Sequence, residues 1–129
     1  MDFPIRITPI LRPLLFPLRA SGERAVVRVG GGRVEVEFGV LFHGSFALEQ
    51  IEHVSRSGWS WWGGLGLRIG ARGRVGLIGS LDGVVCVHFN RAQRVRAPFP
   101  WRCRELYISL HDPEGFIATV EAEAHMAAA

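Results

Sequence analysis

The sequence predicts a mainly β domain that ends in a single α-helix, and three observations support this. Short segments with alternating apolar and polar residues recur along most of the chain, separated by glycine-rich turns. One segment near the C-terminus instead has apolar residues at helical spacing. No internal repeat or linker divides the 129 residues, a length typical of one domain with its own core. We therefore expect residues 1–129 to form a single domain.

The clearest strands form a hairpin. Residues 25–29 and 33–38 alternate around three consecutive glycines, which is a hairpin signal. In the second strand Val34, Val36 and Phe38 share one face, so that face is expected in the core. The other strand candidates are residues 42–54, with a turn or a single helical turn at 49–50, and residues 65–69, 75–78, 84–89 and 104–110.

The helix is predicted to begin after Asp112. This residue is an N-cap whose carboxylate accepts free amide hydrogens of the first turn, and Pro113 suits the first helical position. Glu114 adds favourable charge at the positive end of the helix dipole. The apolar residues that follow at helical spacing are Phe116, Ile117, Val120 and Ala124.

Two segments are irregular in the sequence. Residues 90–102 form either a long loop or a short strand followed by a proline-bent return. Residues 1–20 are apolar but contain four prolines, and we expect them either to form an edge strand or to cover a partner's surface. They lack the continuous apolar run of a signal peptide or a membrane helix. We therefore expect a soluble, cytoplasmic protein.

The order of several short motifs resembles that of bacterial pleckstrin-homology-like (PH-like) domains, over residues 25–124. These motifs are Gly66-Leu67-Arg68 after a tryptophan-rich turn, the later Gly79, the valine-rich strand 84–89, and residues 108–116, which run through Asp-Pro into the helix. The resemblance implies a two-sheet antiparallel sandwich or barrel of about seven strands, capped at one open end by the C-terminal α-helix. It implies a binding or scaffolding module but no particular ligand, since such folds host several functions. Inositide binding is not expected, because the first hairpin loop has no lysine.

No catalytic residue, metal ligand or cofactor site is predicted, so we do not expect an enzyme. No two of the five histidines have metal-ligand spacing on a helix. Cys86 and His88 share one strand face and could formally make a thiolate pair, but the flanking valines favour a buried, inert thiol. The glycine-rich segments lack the lysine and the following helix of a phosphate-binding loop.

The basic residues give two groups of candidate binding residues. All fifteen are arginine, and the net charge is only +3, so nucleic acid is not the expected partner. Arg68, Arg72 and Arg74 surround one turn, and five more arginines lie around residues 90–104 together with Trp101. If the groups converge, they form a surface suited to an acidic peptide, a phospholipid or nucleic acid; otherwise they form a solvated face.

Trp59, Trp61 and Trp62 lie among four glycines within residues 58–66. They could lie in a membrane interface, line a small-molecule groove, or pack between sheet and loop. An extended chain would point Trp59 and Trp61 to one side and Trp62 to the other. At least one indole is therefore expected outside the core.

The sequence thus predicts a non-enzymatic binding module. The expected partner is another protein or a second copy of the chain, and a homodimer would use the N-terminal arm and exposed aromatic residues. The alternative is peripheral binding to anionic lipid. The candidate binding residues are Trp59, Trp61, Trp62, Arg68, Arg72, Arg74 and Trp101.

Overall fold

The computed structural model describes residues 2–6, 25–38, 42–57, 66–69, 73–78, 83–96 and 100–128, although for 66–69 and 125–128 only the backbone is described. These residues form nine strands and one α-helix, which confirms the mainly β prediction. The elements are β1 (Asp2–Pro4), β2 (Ala25–Gly30), β3 (Arg33–Phe38), β4 (Phe42–Ala47), β5 (Ile51–Arg56), β6 (Gly66–Ile69), β7 (Arg74–Ile78), β8 (Val84–Arg96), β9 (Pro100–Ser109) and α1 (Pro113–Ala128).

The described strands make one sheet that is not closed, in the order β1-β2-β3-β4-β8-β9-β7-β6, with β5 also paired to β8. The sheet has two halves that meet between β4 and β8. A single residue pair, His43 with Arg96, makes that junction. A PH-like sandwich of two separate sheets thus stays a prediction.

One strand pair differs from the expected antiparallel arrangement. β7 and β9 are parallel, with Arg74 opposite Glu105 and Leu77 opposite Ile108. The reason is the return of β9 along β8, which inserts β9 between β8 and β7. β9 therefore lies between β8 and β7, antiparallel to β8 and parallel to β7.

The structure contains the predicted β2–β3 turn and shows which alternative applies in two other segments. Gly31 and Gly32 have φ angles of 61° and 77°, the left-handed conformation that a two-residue hairpin turn requires, so the β2–β3 hairpin is confirmed. A 3-10 turn at Leu48–Gln50 separates β4 from β5, which is the helical-turn alternative. Residues 90–96 continue β8, and β9 begins at Pro100, as in the strand-and-return alternative.

The N-terminal strand contributes to the core beneath the helix. Phe3 and Ile5 are 4% and 3% exposed, and the Phe3 ring meets the Phe116 ring edge-on, with centroids 5.5 Å apart. Ile5 also bridges to Leu110, at the end of β9. Residues 2–4 thus form an edge strand, one of the two alternatives expected for residues 1–20, whereas residues 7–20 lie outside the described part of the chain.

The helix begins as predicted. The Gly115 amide donates a hydrogen bond of 3.0 Å to Oδ1 of Asp112, and Phe116 and Val120 are buried against the sheet. Within the described residues, no helix combines the length and the apolar character needed to cross a membrane.

Candidate functional site

An open groove of about 850 Å³ lies where the start of β7 meets the first part of β9. Its lining combines three arginines with a tryptophan and one carboxylate. The lining residues are Gly73, Arg74, Ala92, Pro100, Trp101, Arg102, Arg104 and Glu105. We call this the arginine groove.

Gly73 lets the two strands come together at the groove. Its φ of 76° lies in the left-handed region, and a Cβ there would be 3.1 Å from the backbone nitrogen of Arg104. With no side chain, the turn before β7 can lie directly on β9. Arg74 is thereby placed opposite Glu105 in the parallel register.

Positive charge is concentrated in β8 and β9, the two strands of the hairpin that carries most of the groove lining. Residues 90–104 contain five arginines and no acidic residue: Arg91, Arg94, Arg96, Arg102 and Arg104. All five are exposed. Arg74 is also exposed, and its Nε lies 3.7 Å from Oε2 of Glu105, so one carboxylate faces the guanidinium groups that line the groove.

Trp101 provides the apolar part of the groove. It is 39% exposed, and no other large hydrophobic side chain in the described residues is classed as exposed. An indole beside guanidinium groups offers apolar contact area and a flat face for stacking. The arginine groove therefore combines anion-binding groups with an aromatic surface.

Of the predicted binding residues, the structure brings Arg74 and Trp101 together. Arg74 belongs to the first arginine group, and it joins Arg102 and Arg104 of the second group in one lining. The backbone of Arg68 pairs with Gly76 in β6–β7, but its side chain is not described. Trp59, Trp61, Trp62 and Arg72 lie outside the described residues, so their part in binding stays a prediction.

A second group of polar side chains adjoins the groove on β8 and β9. Cys86 is opposite Tyr107 and His88 is opposite Glu105 in the antiparallel register. Val85 and Val87 belong to the core cluster, so Cys86 and His88 lie on the other face of the sheet. Cys86 is 3% exposed, so its thiol is buried, as expected, although Cys86 does not belong to the main core cluster.

Glu105 is the residue that links this group. The Tyr107 hydroxyl donates a hydrogen bond of 2.8 Å to its Oε2, and its Oε1 is 3.8 Å from Nδ1 of His88. The His88 ring in turn stacks on the His53 ring of β5, with centroids 4.2 Å apart. Sulfur, nitrogen and oxygen donors of Cys86, His88 and Glu105 all lie within 4.8 Å of one another.

The environment shifts three pKa values here. Burial raises the pKa of the Cys86 thiol, although a hydrogen bond with Tyr107 lowers it in part. Burial also raises the pKa of Cys103 to about 12. Burial and the hydrogen bond to Glu105 raise the pKa of Tyr107. In the absence of another ligand, both thiols and the phenol are therefore protonated at neutral pH.

Sequence reasoning did not find Glu105 and Tyr107. Their alternation in β9 was visible, but the register that sets them opposite His88 and Cys86 was not. The i, i+2 spacing of Cys86 and His88 was the only available signal.

Comparisons of the chain with protein-family models, with curated proteins and with solved structures found no match. The PH-like resemblance consequently remains an expectation from the sequence.

Proposed function

We propose that this protein is a binding module that holds an acidic segment of a partner protein in the arginine groove. The observation that carries the proposal is the joint lining of that groove by Arg74, Arg102, Arg104 and Trp101. Guanidinium groups bind carboxylates in a two-pronged geometry that lysine cannot reproduce. The indole would pack against the apolar parts of the same segment.

The position of Trp101 favours a peptide over a membrane surface. Trp101 lies in β9 and shares the groove lining with three arginines, whereas a membrane-binding tryptophan has to reach a flat interface. Binding to anionic lipid through Trp59–Trp62 and neighbouring arginines is the alternative. Its three tryptophans lie outside the described part of the chain, whereas Arg74, one of its arginines, lines the groove.

The distribution of acidic residues favours a different protein over a second copy. The chain has twelve acidic residues, and no two of them are adjacent. A second copy therefore offers no acidic run to occupy the groove. A homodimer that buries other surfaces is the competing arrangement, and light scattering at micromolar concentration would detect it.

Fluorescence anisotropy with a labelled oligo-glutamate peptide tests the proposal. We expect saturable binding that weakens with added salt, and none to an oligo-glutamine peptide of the same length. Arg104→Glu should weaken binding roughly tenfold or more, because it removes a charge-assisted hydrogen bond and adds repulsion. Arg33→Glu makes the same charge change on β3, away from the groove, and should have a small effect.

Two results would overturn the proposal. Equal losses of peptide affinity in the Arg104→Glu and Arg33→Glu variants would mean that net charge alone attracts the peptide. Binding to phosphatidylserine vesicles with no binding to the peptide would instead support the lipid alternative.

A further inference from the structure

We infer that Cys86, His88 and Glu105 form a zinc-binding site on the face of the sheet opposite the core. The inference departs from the sequence prediction that the chain has no metal ligands. It does not depend on the proposed peptide binding, because the arginine groove could fail to bind peptide while these three residues still bind zinc.

The distances between the donors fit a shared ion. Two ligand atoms each about 2.1 Å from one zinc ion lie roughly 3.2 to 3.8 Å apart when the ligand–zinc–ligand angle is between about 100° and 130°. Nδ1 of His88 and Oε1 of Glu105 are 3.8 Å apart. This distance is too long for a hydrogen bond but falls within that range.

The thiol completes a mixed donor set. One donor atom from each of the three residues lies within 4.8 Å of the other two. Side-chain rotations that move the donor atoms by about 1 Å would therefore bring all three to coordination distance from one ion. Sulfur and imidazole donors favour zinc over magnesium or calcium, which take oxygen ligands. When the zinc–sulfur bond forms, the thiol proton passes to solvent. The three protein donors leave a fourth tetrahedral position for water.

The neighbouring residues hold the donors in place. Glu105 uses Oε2 to accept the Tyr107 hydrogen bond and to face Arg74, which leaves Oε1 directed toward His88. The His53 ring stacks on His88 and fixes the plane of its imidazole. Such contacts around the ligands orient metal sites and support their affinity. Tyr107 is therefore a positioning residue.

The test uses the untagged full-length chain, stripped with a chelator and titrated with Zn²⁺ against a chromophoric competitor. We expect one equivalent to bind per chain. Titration with Co²⁺ should give the near-ultraviolet charge-transfer band of a cobalt–thiolate bond. Cys86→Ser should abolish that band, and His88→Gln and Glu105→Gln should each weaken Zn²⁺ binding at least tenfold.

Three further variants separate this site from other donors. Cys103→Ser removes a thiol that contacts the backbone carbonyl of Glu105 but does not belong to the three-donor cluster. His111→Gln removes an exposed imidazole outside the cluster. Both variants should leave zinc affinity unchanged. Tyr107→Phe keeps all three donors but frees Oε2 of Glu105, and should weaken binding by about 10- to 100-fold. Unchanged affinity in Cys86→Ser, or loss in the control variants instead, would overturn the inference.

A measurement on the unmodified chain covers the case in which a variant fails to fold. Zn²⁺ should slow the alkylation of Cys86, read by peptide mass spectrometry, relative to the same chain without metal. Equal alkylation rates of Cys86 with and without Zn²⁺ would contradict the proposed site.

Discussion

Single glycines set how closely the backbone segments of this protein approach one another. Gly83 has a φ of 72°, and a Cβ at this position would collide with the carbonyl oxygen of Leu110. The amide of Leu110 donates a hydrogen bond of 2.9 Å to the Gly83 carbonyl. The turn before β8 is therefore held against the end of β9. Neither side can move away without breaking that bond.

Alanine substitutions at three glycines separate two effects, the strain of a left-handed φ and the collision of an added Cβ. Gly30→Ala should change the free energy of unfolding by less than about 0.5 kcal/mol, since its added Cβ meets nothing within 4 Å. Gly31→Ala adds only the left-handed φ and should cost about 1 kcal/mol. Gly83→Ala adds the collision and should cost roughly 2–3 kcal/mol or more. Urea unfolding followed by circular dichroism measures all three.

A different order among the three variants would contradict this reading. In particular, a cost for Gly83→Ala no greater than that for Gly31→Ala would mean that the approach to Leu110 is not close in solution.

At the scale of elements, the N-terminal strand is part of the fold. β1 pairs with β2, and Phe3 fills space against Phe116 of α1. A test of self-association that removes residues 1–20 would therefore also remove two core side chains, Phe3 and Ile5. Light scattering of the full-length chain at several concentrations is therefore a better test of self-association than this deletion.

Phe3→Ala should lower the free energy of unfolding by about 3–5 kcal/mol, the usual cost of removing a buried aromatic ring. Asp2→Ala alters the exposed neighbour on the same strand and should change the free energy of unfolding by less than about 0.5 kcal/mol. Chemical denaturation gives both values. A loss below about 1 kcal/mol in Phe3→Ala would show that β1 is not docked under the helix.

The sequence predicted the elements better than their partners. Alternation and turn glycines identified the β2–β3 hairpin, and the Asp112 cap identified the start of α1, because both signals are local. The extension of β8 through residues 90–96 was left open, since that stretch is arginine-rich and does not alternate clearly. The parallel β7–β9 pairing depends on contacts between distant residues, which no local pattern encodes.

The same limit applies to the sites. Arg74 and Trp101 were named from residue type alone, and their meeting in one groove depends on the β7–β9 register. Glu105 and Tyr107 were missed because only the β8–β9 register makes them neighbours of His88 and Cys86.

At the scale of the whole molecule, the two halves of the sheet differ in charge. The pair His43 and Arg96 joins them, and the Phe46 and Phe89 rings pack across the junction at 4.5 Å. In the first half, Arg28 is paired with Glu37. The long β8–β9 hairpin carries its arginines without an acidic residue from 90 to 104. We therefore expect an acidic ligand to be attracted to the half of the sheet that contains β8 and β9.

Amide chemical-shift mapping can locate an acidic segment bound in the arginine groove. On titrating ¹⁵N-labelled protein with oligo-glutamate peptide, we predict the largest shifts at residues 73–74 and 101–105, with little change in the β2–β3 hairpin. Shifts that centre on that hairpin, or no shifts at the highest peptide concentration, would show that the acidic peptide does not occupy the groove.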